Sequence, residues 1–367
     1  MMTSKTNKNI LCCPSWLASS VAVTALVAEI VIVTYLIRRR SLNDTKTNSL
    51  PEELKNTEYT KELKLAISLA LKAGKNMIPH VDSKGTESYS ESLLDINTKS
   101  NRNDFATAID RENEEFISRN ILATFPEDCI IGEETTGTGS IPELSMKKTW
   151  ILDPVDGTTN FANGLPLCCV SIGLCDQKKP VLGCIYVPMT QELYLAVKGH
   201  GAYRNGVRIH STTPSSPKKM LRDAILVIEL GHSEKEESGV DRVLSVFRKL
   251  LLEGIRASRQ FGSGVLDLCY VASGRVDVVY AGIHGEGWKP WDYCAGVVVA
   301  QEAGAVVKSI FGPPGKEGST TNEFDLITGA VVKDAPDFDI YSKSVICGTS
   351  AELVAECRNV ILSALKK

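Results

Sequence analysis

Residues Trp150 to Phe161 read WILDPVDGTTNF. An apolar run leads into two aspartates, Asp153 and Asp156, three residues apart with Pro154 between them. The run predicts a buried strand, and proline, which has no N–H to donate, predicts its end. The chain then turns, and both carboxylates point into one pocket. Two close carboxylates repel and raise each other's pKa unless a positive charge lies between them. Hard oxygen donors at this spacing suit Mg²⁺, which binds through a few carboxylates, water and phosphate. Gly157 allows close approach of the backbone to a ligand. A helix opening at Thr158 would turn N–H groups toward an anion. Acids for a cation beside N–H groups for a phosphate indicate phosphoryl chemistry. An Asx turn with a helix-capping aspartate is the plainer reading of DPVD alone.

On either side, hydrophobic periodicity separates helices from strands. TEYTKELKLAISLALKAGKNMI places Leu63, Ala66, Ile67, Ala70 and Leu71 at helical spacing. AIDRENEEFISRNILATF predicts a second helix, starting near Asp110, with Ile109, Phe116, Ile117 and Ile121 on one face. CIIGEE and TWILD read as short buried strands ending in acids. LCCVSIGLCD, PVLGCIYVP and QELYLAVKGHGAYRNG follow as an antiparallel run, with a hairpin signal at Asn205-Gly206. Beyond Ala224, strands alternate with helices. The helix PWDYCAGVVVAQEAG stops at Gly304 as its C-cap glycine, and SAELVAECRNVILSAL closes the chain. Layers of helix and sheet follow, an α+β sandwich.

The chain has 367 residues, 43% hydrophobic and 23% charged, enough to bury a sizeable core. Its net charge is −3, and the body has no long basic run, which argues against a broad nucleic-acid-binding face. Eleven cysteines form no CxxC pair, so a zinc site is not indicated. The odd count and the apolar surroundings of most of them favour buried, reduced thiols.

Trp16 to Ile37 is almost wholly apolar apart from Glu29. At about 1.5 Å rise per residue, 22 residues match a bilayer core of about 30 Å. Residues 1–15 then form a tail, 16–37 a transmembrane anchor, 38–56 a polar linker and 57–367 the catalytic domain. Lys5 and Lys8 precede the span and Arg38, Arg39, Arg40 and Lys46 follow it, which predicts a cytoplasmic body. An organelle-targeting leader is the alternative.

Three stretches in this order, GEET, WILDPVDGTTNFANGLPLCCVSIGL and PWDYCAGVVVAQEAGA, resemble the inositol monophosphatase family of magnesium-dependent, lithium-sensitive phosphatases. The resemblance runs from about residue 58 to the end. It implies an αβαβα layered sandwich, a homodimer and Mg²⁺ as cofactor. Glu133, Asp153, Asp156 and Asp292 match the metal-binding carboxylates, with the carbonyl of Val155 as a further ligand. Gly157 and Thr158 match phosphate contacts, and Asp292 also lies against substrate. Asp110 matches the acid that hydrogen-bonds the threonine hydroxyl, and Lys99 a loop lysine reaching the phosphate. Gly262 and Ser263 match the segment touching the substrate ring. Glu133 with the Thr158–Asp110 pair would orient and deprotonate a water for in-line attack on phosphorus. Cations neutralise the phosphate and the leaving oxygen.

The tail after DGTTNF points to the inositol-phosphate branch. Histidinol-phosphate and 3′-phosphoadenosine-type esters are the alternatives, as is a membrane-tethered scaffold of the same fold without activity. Where inositol-specific members carry a ring-holding Glu, this chain has Tyr280, and Glu286 in the longer loop GEGWKP is a candidate substitute. The extra segment 312–337 has no assigned role.

Overall fold

The computed structural model describes residues 50–87, 97–101, 104–230 except 214, 216 and 218, 237–283, 288–311 and 338–366. The candidate membrane span, Glu286 and the segment 312–337 lie outside the described residues. No described helix is long and apolar enough to cross a membrane. The compact unit begins at Leu50, ahead of the boundary drawn at 57, and Leu54 is fully buried in it.

Among the described residues, the fold is mixed α+β with two sheets, a small hairpin and eight helices. Helix α1 spans Thr60–Ser83, and β1 (Asn97–Asn101) pairs with β2 (Asp104–Ala106). Helix α2, Ala108–Thr124, starts from a capping box: Thr107 and Asp110 each accept from the other's backbone N–H. Then come β3 (Cys129–Gly132), the single turn α3 (Glu133–Thr136), β4 (Thr149–Asp156) and the short α4 (Thr158–Ala162).

Strands β5 (Cys169–Asp176), β6 (Lys179–Val187), β7 (Glu192–Val197), β8 (Ala202–Arg204) and β9 (Val207–Ile209) form the antiparallel run. Asn205 and Gly206 both take positive φ at the β8–β9 turn, as the hairpin signal predicts. These strands and β3–β4 make a seven-stranded sheet in sequence order, in which only β3 and β4 run parallel. The second sheet has the order β11-β10-β12-β14-β13, built from β10 (Ile225–Ile228), β11 (Ala257–Arg259), β12 (Val278–Ala281), β13 (Val306–Lys308) and β14 (Val345–Gly348). Helices α5 (Glu237–Leu252), α6 (Gly264–Ala272), α7 (Pro290–Glu302) and α8 (Ala351–Ala364) complete the chain.

Three apolar clusters show how the elements stack. Leu63, Leu69, Met77, Ile117 and Ile121 of α1 and α2 pack on Trp150, Leu152 and Ile172 of the large sheet. Its other face meets α6 and α7, and these in turn meet Val227, Val279 and Cys347 of the small sheet. Leu226, Val278 and Ile346 on the far face of the small sheet pack on α5 and α8. Helix α7 lies against the large sheet without a gap. A Cβ on Gly173 would fall 2.5 Å from Cys294 Sγ, and one on Gly183 would fall 2.4 Å from the carbonyl oxygen of Ala295.

Two local expectations are corrected. Strand β4 does not stop at Pro154. It runs through to Asp156, because a bulge between Asp153 and Asp156 takes the proline out of the regular ladder. And GEE does not extend β3; Glu133 and Glu134 open the helical turn α3.

Candidate active site

In a regular strand, residues three apart point to opposite faces. On β4, Asp153 pairs with Ser171 and Asp156 with Cys169, so three steps on β4 oppose two on β5. The extra residue puts both aspartates on the face toward α6 and α7. Val155 goes to the other face, buried among Leu152 and Val170. Its N–H donates to Asp153 Oδ1 at 3.1 Å. Asp292 arrives from the first turn of α7, held by the Lys289 N–H donating to its Oδ2 at 2.6 Å. Asp153, Asp156 and Asp292 each offer an oxygen within 4.8 Å of the others.

Asp156 Oδ2 accepts from Ser263 Oγ, from the Val265 N–H at 3.0 Å and from Cys169 Sγ at 3.6 Å. Burial nevertheless pushes its pKa up to about 6, with the charge of Glu133 adding to the rise and the Ser263 and Val265 bonds opposing it. Burial, then the charges of Glu133 and Asp156, hold Asp292 well above the usual carboxylate range. Glu133 stands beside the aspartate trio, on the first residue of α3, and its charge reaches Asp110, Asp156 and Asp292. This donor set fits a hard divalent cation. Oxygen ligands converge, and burial, with the mutual repulsion of the acids adding to it, raises the pKa of Asp156 and Asp292, a cost that a cation among them offsets.

Gly157 sits at φ 88°, and a Cβ there would meet the carbonyl oxygens of Leu167 at 2.8 Å and Gly262 at 3.1 Å. Only glycine serves both constraints. Thr158 Oγ1 lies 3.1 Å from the Val155 carbonyl oxygen and 3.3 Å from Asp110 Oδ1, and it donates to either. Asp110 Oδ2 is already taken, by the Thr107 N–H at 3.0 Å and by the Thr107 hydroxyl. The fully buried carboxyl is pushed up to about 7, chiefly by burial; the Thr107 hydroxyl opposes this and the charges of Glu134 and Glu133 add to it.

The ring-side segment also converges here. Ser263 caps α6 and donates to Asp156, and Gly262 takes φ 71° against Asn160. Lys99 stands on β1, with its side chain outside the described part. Tyr280 does not occupy a ring-holding position. It is buried in the outer cluster with α5 and α8, and its hydroxyl has no hydrogen-bond partner among the described residues. Strand alternation turns its neighbour Ala281 to the inner side instead.

Several supporting residues escaped the sequence reading. Asn160 Nδ2 contacts the carbonyl oxygens of Leu167 (2.8 Å), Phe261 (2.6 Å) and Gly262 (3.3 Å). Glu229 Oε1 accepts from the N–H groups of Phe261 and Gly262 at 3.1 and 2.9 Å. Apart from the Asn160–Leu167 contact, these bonds span about 30 to 100 residues of chain, and no local pattern carries them. Thr107 was legible, since T-x-x-D before an apolar run is a capping signature.

Residues 58–360 match the model of the inositol monophosphatase family. The chain belongs to that family and is a phosphoric monoester hydrolase of a metal-dependent class. It is 39% identical over 232 residues to an inositol monophosphatase of Mesembryanthemum crystallinum, covering 63% of this chain and 82% of that protein. Against the Nus factor SuhB of Vibrio cholerae it is 37% identical over 250 residues, 68% of this chain and 85% of that protein. Among solved structures, the Thermotoga maritima IMPase superposes with a TM-score of 0.63 at 25% identity, covering 83% of this chain and 98% of that one.

Proposed function

We propose that this site hydrolyses the phosphate monoester of a small polyol, inositol monophosphate first among candidates, with Mg²⁺ as the cofactor. The observation that carries the reading is the convergence of Asp153, Asp156 and Asp292 to within 4.8 Å beside the Thr158–Asp110 pair. Asp153, Asp156, Asp292, Glu133 and the Val155 carbonyl would hold the cations. Bound there, Mg²⁺ activates water and neutralises charge on the phosphate. Gly157 and Thr158 would meet the phosphate at the start of α4.

The chain's own contribution is orientation and proton handling. Thr107 saturates Asp110 Oδ2 and leaves Oδ1 facing Thr158 Oγ1. When Thr158 donates to Asp110, its oxygen lone pairs are free to accept from an attacking water. A proton passed along this pair comes to rest on Asp110 Oδ1. A pKa of about 7 suits that task near neutral pH. Glu133 flanks the same water.

Full-length protein assayed for phosphate release should hydrolyse inositol monophosphates in a Mg²⁺-dependent, Li⁺-sensitive way. The panel should include histidinol phosphate and 3′-phosphoadenosine esters, because Ala281 leaves the inner end of β12 without a carboxylate for a ring hydroxyl. Preference for either of those esters would overturn the inositol reading. We also read residues 16–37 as an anchor with the catalytic unit on the cytoplasmic side, supported by the length of the apolar run and by Arg38–Arg40. Release of the full chain from membranes by alkaline carbonate would count against it.

A further inference from the structure

Glu114 lies one helical turn beyond Asp110 on α2 and is 2% exposed. Its Oε2 accepts from the Glu134 N–H at 2.7 Å, and its Oε1 from the Thr135 N–H at 2.7 Å and from the Thr135 hydroxyl. All three donors belong to α3, the single turn that begins with Glu133. The residue before it is Gly132, and a Cβ there would fall 2.4 to 2.6 Å from the carboxylate atoms of Glu114. The carboxylate therefore fills the space beneath the β3–α3 junction.

The first N–H groups of any helix lack partners within it. Most helices meet this locally with a capping side chain, but the N-cap here is glycine and supplies none. A four-residue turn also has too little internal hydrogen bonding to hold its own direction. Its orientation is set by whatever takes those N–H groups, and the group that does so reaches across from α2. That same helix face carries Asp110, which contacts Thr158 at 3.3 Å. Two contacts one turn apart thus reach the turn that carries Glu133 and the hydroxyl of Thr158, the two groups that the proposed function sets beside the attacking water.

We propose that Glu114 is a positioning residue for the Glu133 side of the cation site. It touches neither ion nor substrate. It fixes the backbone of α3 so that the Glu133 carboxylate is aimed at the cation. This rests on the reading of Glu133 as a cation ligand.

The test is Mn²⁺ binding to the full-length protein by titration calorimetry, together with the Mg²⁺ concentration that half-activates phosphate release. Glu114→Gln keeps the shape but sets an amide against a backbone N–H. It should weaken Mn²⁺ binding and raise the Mg²⁺ midpoint by about 10–100-fold, the usual cost of disturbing a ligand's support. The KM for substrate at saturating Mg²⁺ should stay within about threefold of wild type. The decisive comparison is the double variant with Glu133→Gln. If Glu114 acts through Glu133, the pair binds Mn²⁺ no more weakly than Glu133→Gln alone; a merely structural role gives additive losses. Wild-type Mn²⁺ affinity in Glu114→Gln, or additivity in the double variant, overturns the proposal. Should Glu114→Gln fail to fold, Thr135→Val removes only the hydroxyl donor and is judged by the same binding and additivity criteria. Wild-type protein without Mg²⁺-dependent turnover would instead defeat the phosphatase reading, whatever the Mn²⁺ affinities of the variants.

Discussion

Asp156 faces two ways. One oxygen accepts from Ser263, Val265 and Cys169, while the carboxylate also stands in the trio with Asp153 and Asp292. In Asp156→Asn the amide oxygen still accepts from Ser263 and Val265, and the NH₂ turns toward the other acids. The fold should survive, with unchanged or higher melting temperature in the absence of cations, because a source of repulsion is gone. Phosphate release should fall by more than about 100-fold, since a charge aimed at the reacting group is lost. Near-normal turnover at saturating Mg²⁺ would refute the site. Gly157 predicts the opposite pattern. At φ 88° and 2.8 Å from the Leu167 carbonyl oxygen, an alanine is strained whatever else moves. Gly157→Ala should lower unfolding free energy by about 1–3 kcal/mol in urea titrations.

Helix α4 has five residues, too few to stand alone. It is held by Asn160, whose amide joins the α4–β5 turn to the Phe261–Gly262 segment. Asn160→Ala should cost about 1–3 kcal/mol. It should raise KM more than it lowers kcat, because the loosened segment is the one facing the substrate. An unchanged KM would show that the segment is held by other contacts. The same elements show what the sequence could and could not disclose. The β5–β9 run was legible because alternation and turn residues such as Asn205-Gly206 are local signals. The path of β4 through Pro154 was not, because a bulge depends on the register of β5. Strand β11, three residues at a sheet edge, has no periodicity to read. The acids of the trio were found by motif, whereas Glu114, Asn160 and Glu229 act across long stretches of chain and leave no spacing to notice.

For the molecule as a whole, the buried acids tie stability to pH. Asp110 and Asp156 titrate near 7 and 6, above the unfolded value of about 3.9. The native state therefore keeps protons that the unfolded chain has released. The stability these groups contribute is fully present below about pH 4 and is lost as pH rises through 6 and 7. Asp267 and Asp292, also raised by burial, act in the same direction, while the lowered pKa of the buried His80 acts against it. A divalent cation held among Asp153, Asp156 and Asp292 would compete with the protons on Asp156 and Asp292, so its affinity would grow as pH rises. Scanning calorimetry should show melting of the cation-free protein falling between pH 4.5 and 7.5, because the acids outnumber the histidine. The rise in melting temperature on adding Mg²⁺ should be larger at pH 8 than at pH 5.5. A Mg²⁺ effect independent of pH would mean that the acids with raised pKa are not where the ion binds.

Helix α7 rests on β5 and β6 through Gly173 and Gly183, with no room for a methyl group at either. Asp292 rides on that helix, and Asp153 and Asp156 ride on the strand beside β5. The two glycines thus let the helix that carries Asp292 approach the sheet that carries Asp153 and Asp156. If the site takes Mg²⁺ as proposed, with oxygen ligands at about 2.0–2.1 Å, a single added carbon at Gly183 would push α7 outward and favour the roomier shell of Ca²⁺ at about 2.3–2.6 Å. Selection among ions by radius would then be exercised from the layer interface, by side chains that do not exist.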